Sequence, residues 1–141
     1  MNRDIGYLIK QIDDCLHKKA NQELESLGLT FSQVRVLLLM REREKARLLT
    51  SHKDIEESLG IAHPTVLGLL RRLETKGFIR TETGVADRRI RNVFLAGIDA
   101  SFWDALLANG AKAEKRLLAG FSKEEATTIQ TMLEKILKNI Q

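Results

Sequence analysis

Apolar residues recur at helical spacing along most of this chain. In residues 4–27 they fall at Ile5, Leu8, Ile9, Ile12, Leu16, Leu24 and Leu27, and Gly28 follows as a stop. The stretch LTFSQVRVLLLMRERE predicts a second helix, capped at Thr30, with Phe31, Val34, Val36, Leu37 and Leu38 as its apolar positions. It is apolar almost all round in its middle, which places it at the centre of a core. REREKAR (41–47) reads as a charge run that ends this helix and crosses the surface, and LLT (48–50) as a short strand. SHKDIEESLG then gives a short helix with Ser51 as cap, Asp54 three residues on and Gly60 as stop. HPTVLGLLRRLETKG begins another, with Pro64 in its first turn, Gly77 after it, and a stripe of Val66, Leu69, Leu70 and Leu73.

The period then changes. FIRTET (78–83) and RIRNVFLA (89–96) are strand-like runs joined by GVADR, so a hairpin is the simplest reading. From Asp99 the pattern is helical again, with Phe102, Trp103, Leu106, Leu107, Leu117 and Leu118 on one helix and Gly110 as a weak point. FSKEEATTIQTMLEKILKNIQ closes the chain. Ser122 and Glu125 form a capping box ahead of a stripe of Ala126, Ile129, Leu133, Ile136, Leu137 and Ile140.

At 141 residues and 43% hydrophobic, the chain is the size of one domain, or of one domain with an appended helical element, and can bury a core. No run of 18 apolar residues exists to cross a membrane, the N-terminus lacks the pattern of a secretory signal, and the single Cys15 cannot pair internally. These features suit a reducing cytoplasm. The formal charge is +4, and its distribution matters more than its size. Between His63 and Arg91 stand seven cations (Arg71, Arg72, Lys76, Arg80, Arg88, Arg89, Arg91) against Glu74, Glu82 and Asp87. That difference of four equals the whole excess, so the rest of the chain sums to zero. Such a segment is either the footprint of a nucleic-acid-binding element or a solvated basic face.

The order of elements favours the former. Helix 51–59, the turn Gly60-Ile61-Ala62 and helix 63–76 make a helix-turn-helix, and the hairpin straight after makes it winged. An α-helix fills the DNA major groove with its first residues at base edges. A basic hairpin beside it puts arginine into the narrow minor groove. His63, Thr65, Leu67 and Gly68 fall on the early, outward part of the recognition helix as candidates for base or phosphate contact. Arg71 and Arg72, one turn later, are candidates for phosphates. Ser51, His52 and Lys53 would meet phosphates through the start of the preceding helix.

At these residues the chain resembles the MarR family of bacterial transcription regulators. The resemblance begins at GLTFSQVRVLLLM, continues through KDIEESLGIAHPTVLGLLRRLETKGFIRT, takes in ADRR and ends with LLAGFSKEEATTIQTMLEKILKNI. It implies a mainly α (α+β) fold in a single domain of residues 1–141. A winged helix-turn-helix lobe would span 30–97, and a helical dimerisation lobe 1–29 and 98–141. The family's Asp-x-Arg wing signature matches Asp87 and Arg89, so that Arg89 or its neighbour Arg88 enters the minor groove while Asp87 holds an arginine in place. Arg91 joins them at the wing. The resemblance further implies a cytoplasmic homodimer that binds double-stranded DNA at a pseudo-palindrome with half-sites about 10 bp apart, usually as a repressor. It implies, too, a small, often anionic aromatic effector, for which Tyr7, His17, Phe31, Arg35 and Trp103 are the candidate lining.

Two stretches depart from the family. Many members carry polar residues, often Thr then Arg, where this chain has Leu67 and Gly68, and most have a Leu-Thr-x-x-Gly turn where this chain has LAGIDASF. The first departure leaves open a winged-helix module that binds a protein and does not read DNA sequence. Cys15 is displaced from the position of the peroxide-sensing cysteine in one branch of the family, and Asp13 and Asp14 beside it work against a thiolate. His17, His52 and His63 show no metal-ligand spacing, and no phosphate loop, nucleophile elbow or paired acid suggests an enzyme or a cofactor.

Overall fold

A computed structural model describes residues 3–141. The chain forms two compact units, Met1–Trp103 and Asp104–Gln141. Its helices are α1 (Ile5–Leu24), α2 (Phe31–Lys45), α3 (His52–Leu59), α4 (His63–Thr75), α5 (Ala100–Leu117) and α6 (Lys123–Ile140), and its strands β1 (Thr50–Ser51), β2 (Ile79–Thr83) and β3 (Arg91–Leu95). A turn of 3-10 helix, Glu25–Leu27, ends α1, and Gly28 stops it at φ 70°.

The strands form one antiparallel sheet in the order β1-β3-β2. Thr50 faces Val93 across one ladder, and Ile79 to Thr83 run against Leu95 to Arg91 across the other. The core of this unit is built on α2, as its all-round apolar middle predicts: Val36, Leu37 and Met40 are fully buried. Ile55 of α3, Val66 and Leu73 of α4, and Val93 of β3 close around them with 0–1% exposure. The stripe expected on α4 is therefore the face by which it docks, and that docking leaves Thr65, Arg71 and Arg72 outside.

The charge run 41–47 ends α2 as expected, at Lys45, although Arg43 within it turns inward (below). Two local details differ from the sequence reading. The short strand lies at Thr50–Ser51, two residues later than LLT suggests, since Leu48 and Leu49 remain exposed while Thr50 is buried. Gly110 does not break α5, which passes through it to Leu117.

In the second unit α6 begins on the expected box: the Glu125 amide donates to Ser122 Oγ at 3.1 Å and the Ser122 amide to Glu125 Oε1 at 3.0 Å. No residue of α6 is buried, and Ile129, Met132, Leu133, Leu137 and Ile140 stand open. In the first unit α1 likewise exposes Ile5, Leu8, Ile9 and Ile12.

Candidate nucleic-acid interface

The start of α3 is fixed by a reciprocal capping box. The Asp54 amide donates to Ser51 Oγ at 3.2 Å, and the Ser51 amide to Asp54 Oδ2 at 2.8 Å. Arg43 of α2 secures the same corner. Its guanidinium reaches Asp54 Oδ2 at 3.1 Å, the Leu49 carbonyl at 2.7 Å and Thr50 Oγ1 at 3.1 Å. The Ser51 amide above all, with the Ser51 hydroxyl and Arg43, holds the Asp54 carboxyl below the usual carboxylate range, against the opposing effect of burial.

Gly60 then takes φ 63°, the left-handed turn that the tight connection needs. α4 starts at His63 with Pro64 in its first turn, and its N-cap Ala62 supplies no side-chain acceptor. α1, α2, α3 and α6 are all capped by a side chain, so α4 differs in leaving its leading amides to whatever lies in front of it. Behind α4, Lys76 donates to the Gly28 carbonyl and to Gln33 Oε1 at 3.0 Å, which ties the helix to the beginning of α2.

The wing tip is closed by two backbone bonds, Gly84 N–H to the Ile90 carbonyl at 2.8 Å and Ile90 N–H to the Asp87 carbonyl at 3.1 Å. A Cβ at position 84 would stand 2.7 Å from the Asp87 carbonyl oxygen, so only glycine fits there. Inside the tip, Arg89 grips Asp87 with three donors. Its amide and Nε reach Oδ1 at 3.0 and 3.1 Å, and Nη2 reaches Oδ2 at 3.0 Å. This fork pulls the Asp87 carboxyl below its ordinary range. The Arg89 side chain is 91% exposed, anchored at its head and open to solvent. Lower on the wing, Arg80 lies 4.8 Å above the Phe94 ring.

Several of the candidates for DNA contact lie around one groove. A groove of about 610 Å³ runs between α3, the first turns of α4 and the wing, with Ser51, Lys53, His63, Leu67, Arg89 and Arg91 on its walls. Thr65, Arg71, Arg72 and Arg88 are exposed, and Gly68 lies under the Arg72 guanidinium. His52 is placed differently from its neighbours: Nε2 is closed to solvent and has no hydrogen-bond partner. Burial, followed by the charges of His63 and Arg91, holds this imidazole below its ordinary range. Sequence reasoning missed Arg43, Lys76, Gln33 and Glu56, whose carboxylate meets Nδ1 of His63 across the turn. Nothing at short range signals these pairings.

The candidate effector residues are less closely grouped. His17 and Phe31 stack edge to face with centroids 4.7 Å apart, Arg35 follows one turn along α2, and Tyr7 lies nearly three turns up α1. Trp103 stands under Arg41, 5.1 Å from its ring centroid, in a groove with Lys45, Leu95 and Ile98. Among the described residues, no group of three or more His, Cys, Asp or Glu is arranged to hold a metal, and no helix is long and apolar enough to cross a membrane.

Comparison with known proteins agrees with this geometry. Residues 27–90, from the α1–α2 turn through the wing tip, match the model of the MarR family. Over 138 residues the chain is 29% identical to YwoH of Bacillus subtilis, named an uncharacterized HTH-type transcriptional regulator, covering 98% of this chain and 97% of that one. It is 26% identical to the similarly named YybA of the same organism, over 99% of this chain and 87% of that one. Among solved structures, Staphylococcus aureus MepR in complex with DNA superposes with a TM-score of 0.83 at 28% identity, covering 98% of this chain and 97% of that one. The transcriptional regulator SlyA shares the fold with a TM-score of 0.87 at 22% identity, covering 97% and 94%. With its helix-turn-helix and its Asp87–Arg89 wing, the chain is similar to the MarR family of transcription regulators over residues 27–90, and to these relatives over nearly its whole length.

Proposed function

We propose that the protein is a sequence-specific DNA-binding repressor of the cytoplasm. It acts as a homodimer on a pseudo-palindromic operator with half-sites about 10 bp apart. The observation that carries this reading is the convergence on one groove of the uncapped start of α4, Lys53 at the head of α3, and an Arg89 held out by Asp87. The α4 amides and Lys53 suit phosphates, His63 and Thr65 suit base edges, and Arg89 suits the minor groove. The similarity to MepR in its DNA complex supports the same assignment.

The apolar faces of α1 and α6 support a dimer. Neither stripe is covered within its own unit, and contiguous exposed apolar surface of this kind marks an interface. A small anionic aromatic effector that releases the DNA completes the proposal. The Arg41–Trp103 groove offers cations and a ring face for it, and His17, Phe31, Arg35 and Tyr7 are the other candidate lining.

Selection from a pool of random duplex DNA at moderate salt tests the reading. Enrichment of a palindrome with half-sites one turn apart supports it. Salt-sensitive background binding with no enriched sequence would mean that Leu67 and Gly68 carry no base readout, and would favour a protein partner instead.

A further inference from the structure

The Glu56–His63 pair has no part in the core. Glu56 lies in mid-α3 with a side chain 23% exposed, while His63 opens α4 with a side chain 57% exposed and its ring in the groove before the wing. The Glu56 carboxylate meets Nδ1, so Nδ1 is the nitrogen that carries a proton. That fixes what remains for the other nitrogen. In the neutral ring Nε2 is a bare acceptor, and only the imidazolium makes it a donor.

The charges that face the ring come from two elements. Glu56, Lys53 and His52 belong to α3, and Arg89 and Arg91 to the wing. Glu56 favours positive charge on His63 and the cations oppose it. A duplex in the groove would bring phosphates that neutralise those cations and leave Glu56 unopposed.

Resting on the reading of this groove as the duplex-binding face, we propose that Glu56 is a positioning residue that locks Nδ1 of His63, and that His63 takes up a proton as DNA binds. Its Nε2–H then donates to an acceptor on the duplex, either N7 or O6 of a guanine or a phosphate oxygen. The regulator grips DNA more tightly as pH falls, with one proton taken up per subunit. His52 does not supply this linkage, because its Nε2 is sealed from the duplex.

The test uses the full chain and a duplex bearing the most enriched sequence from the selection, with affinity measured from pH 8 to pH 6 at constant ionic strength. The wild type tightens by about tenfold or more, as proton uptake by a histidine requires. His63→Gln flattens the change to less than about twofold on the same linkage. Glu56→Gln keeps an amide oxygen for Nδ1–H, so it binds like the wild type at pH 8 and loses most of the gain at pH 6. Thermal melting at each pH verifies that both variants remain folded. A merely structural pair would shift melting and leave the pH slope in place. Replacing guanines one at a time with 7-deazaguanine, and phosphates with methylphosphonate, identifies the acceptor as the change that removes the His63-dependent gain. A duplex bound equally well at pH 6 and 8, or a slope that survives His63→Gln, overturns the proton linkage alone. If no duplex of any sequence binds at either pH, the DNA-binding reading falls with it.

Discussion

Lys76, at the end of α4, donates to Gln33 Oε1 at 3.0 Å across 43 residues of chain. That oxygen also accepts from the Thr30 amide at 3.1 Å, and Gln33 itself is 2% exposed. One buried amide therefore joins the capping box of α2 to the far end of the recognition helix. Lys76→Met leaves it with a single donor and costs about 1–2 kcal/mol, read as a fall of several degrees in Tm. Arg71→Met, on the exposed side of the same helix, leaves Tm unchanged. Equal Tm values for the two variants would remove Lys76 from the framework.

The wing fork gives a prediction with a different signature. Asp87→Ala frees the Arg89 guanidinium and lowers duplex affinity by about tenfold through lost preorganisation, with no change in Tm, since the tip is exposed. Arg89→Ala lowers affinity at least as far. Asp87→Ala with Arg89→Ala abolishes sequence-specific binding and leaves the dimer intact by light scattering. Unchanged binding by the double variant would mean that the wing does not touch DNA.

Acid should destabilise the protein in two windows. Burial first, with His63 and Arg91, keeps the folded His52 from protonating at its ordinary value of 6.5, while the unfolded chain protonates there. The unfolded state then binds more protons, so stability falls as pH drops below about 6.5. Asp54 acts lower down. Its folded carboxyl is held below 3.8, so its contribution is complete above that value and is lost as pH falls through the folded one. Melting temperatures between pH 7.5 and 3 should show both. His52→Leu flattens the upper window, Asp54→Ala the lower, and a curve that neither variant alters would sink the assignment.

Dimerisation can be tested on α6 alone. Leu133→Asp with Leu137→Asp places two charges in the exposed apolar stripe of α6. Helical content stays near that of the wild type, and sedimentation gives the mass of one chain. A variant that still sediments as a dimer would place the interface elsewhere.

Much of this architecture was legible because its signals are local. Thr30, Ser51 and Ser122 each stand three residues before the partner that completes a capping box, and all three boxes form. The change from a helical period to paired β-branched runs marked the wing, and ADRR marked its Asp87–Arg89 contact, which forms as a fork. The misreadings came from side chains whose partners are remote. Arg43 looked like part of a solvated run because Leu49, Thr50 and Asp54 are brought to it only by the fold. Lys76 counted as one more cation of a basic segment, although the Gly28 carbonyl and Gln33 take its ammonium. His52 sat beside Lys53 at a helix start, and the one-residue rotation that exposes Lys53 turns the His52 ring inward.

The closure of the wing tip makes it a cassette. Gly84 and Ile90 hold its ends, Asp87 and Arg89 hold its head, and between them Val85 is fully exposed and Ala86 exposed. Neither clasp uses the side chains at 85–86, so these can be exchanged while both clasps stay closed. The outer surface of the tip is therefore free to vary residue by residue, while the place where Arg89 stands is fixed by the backbone and by Asp87.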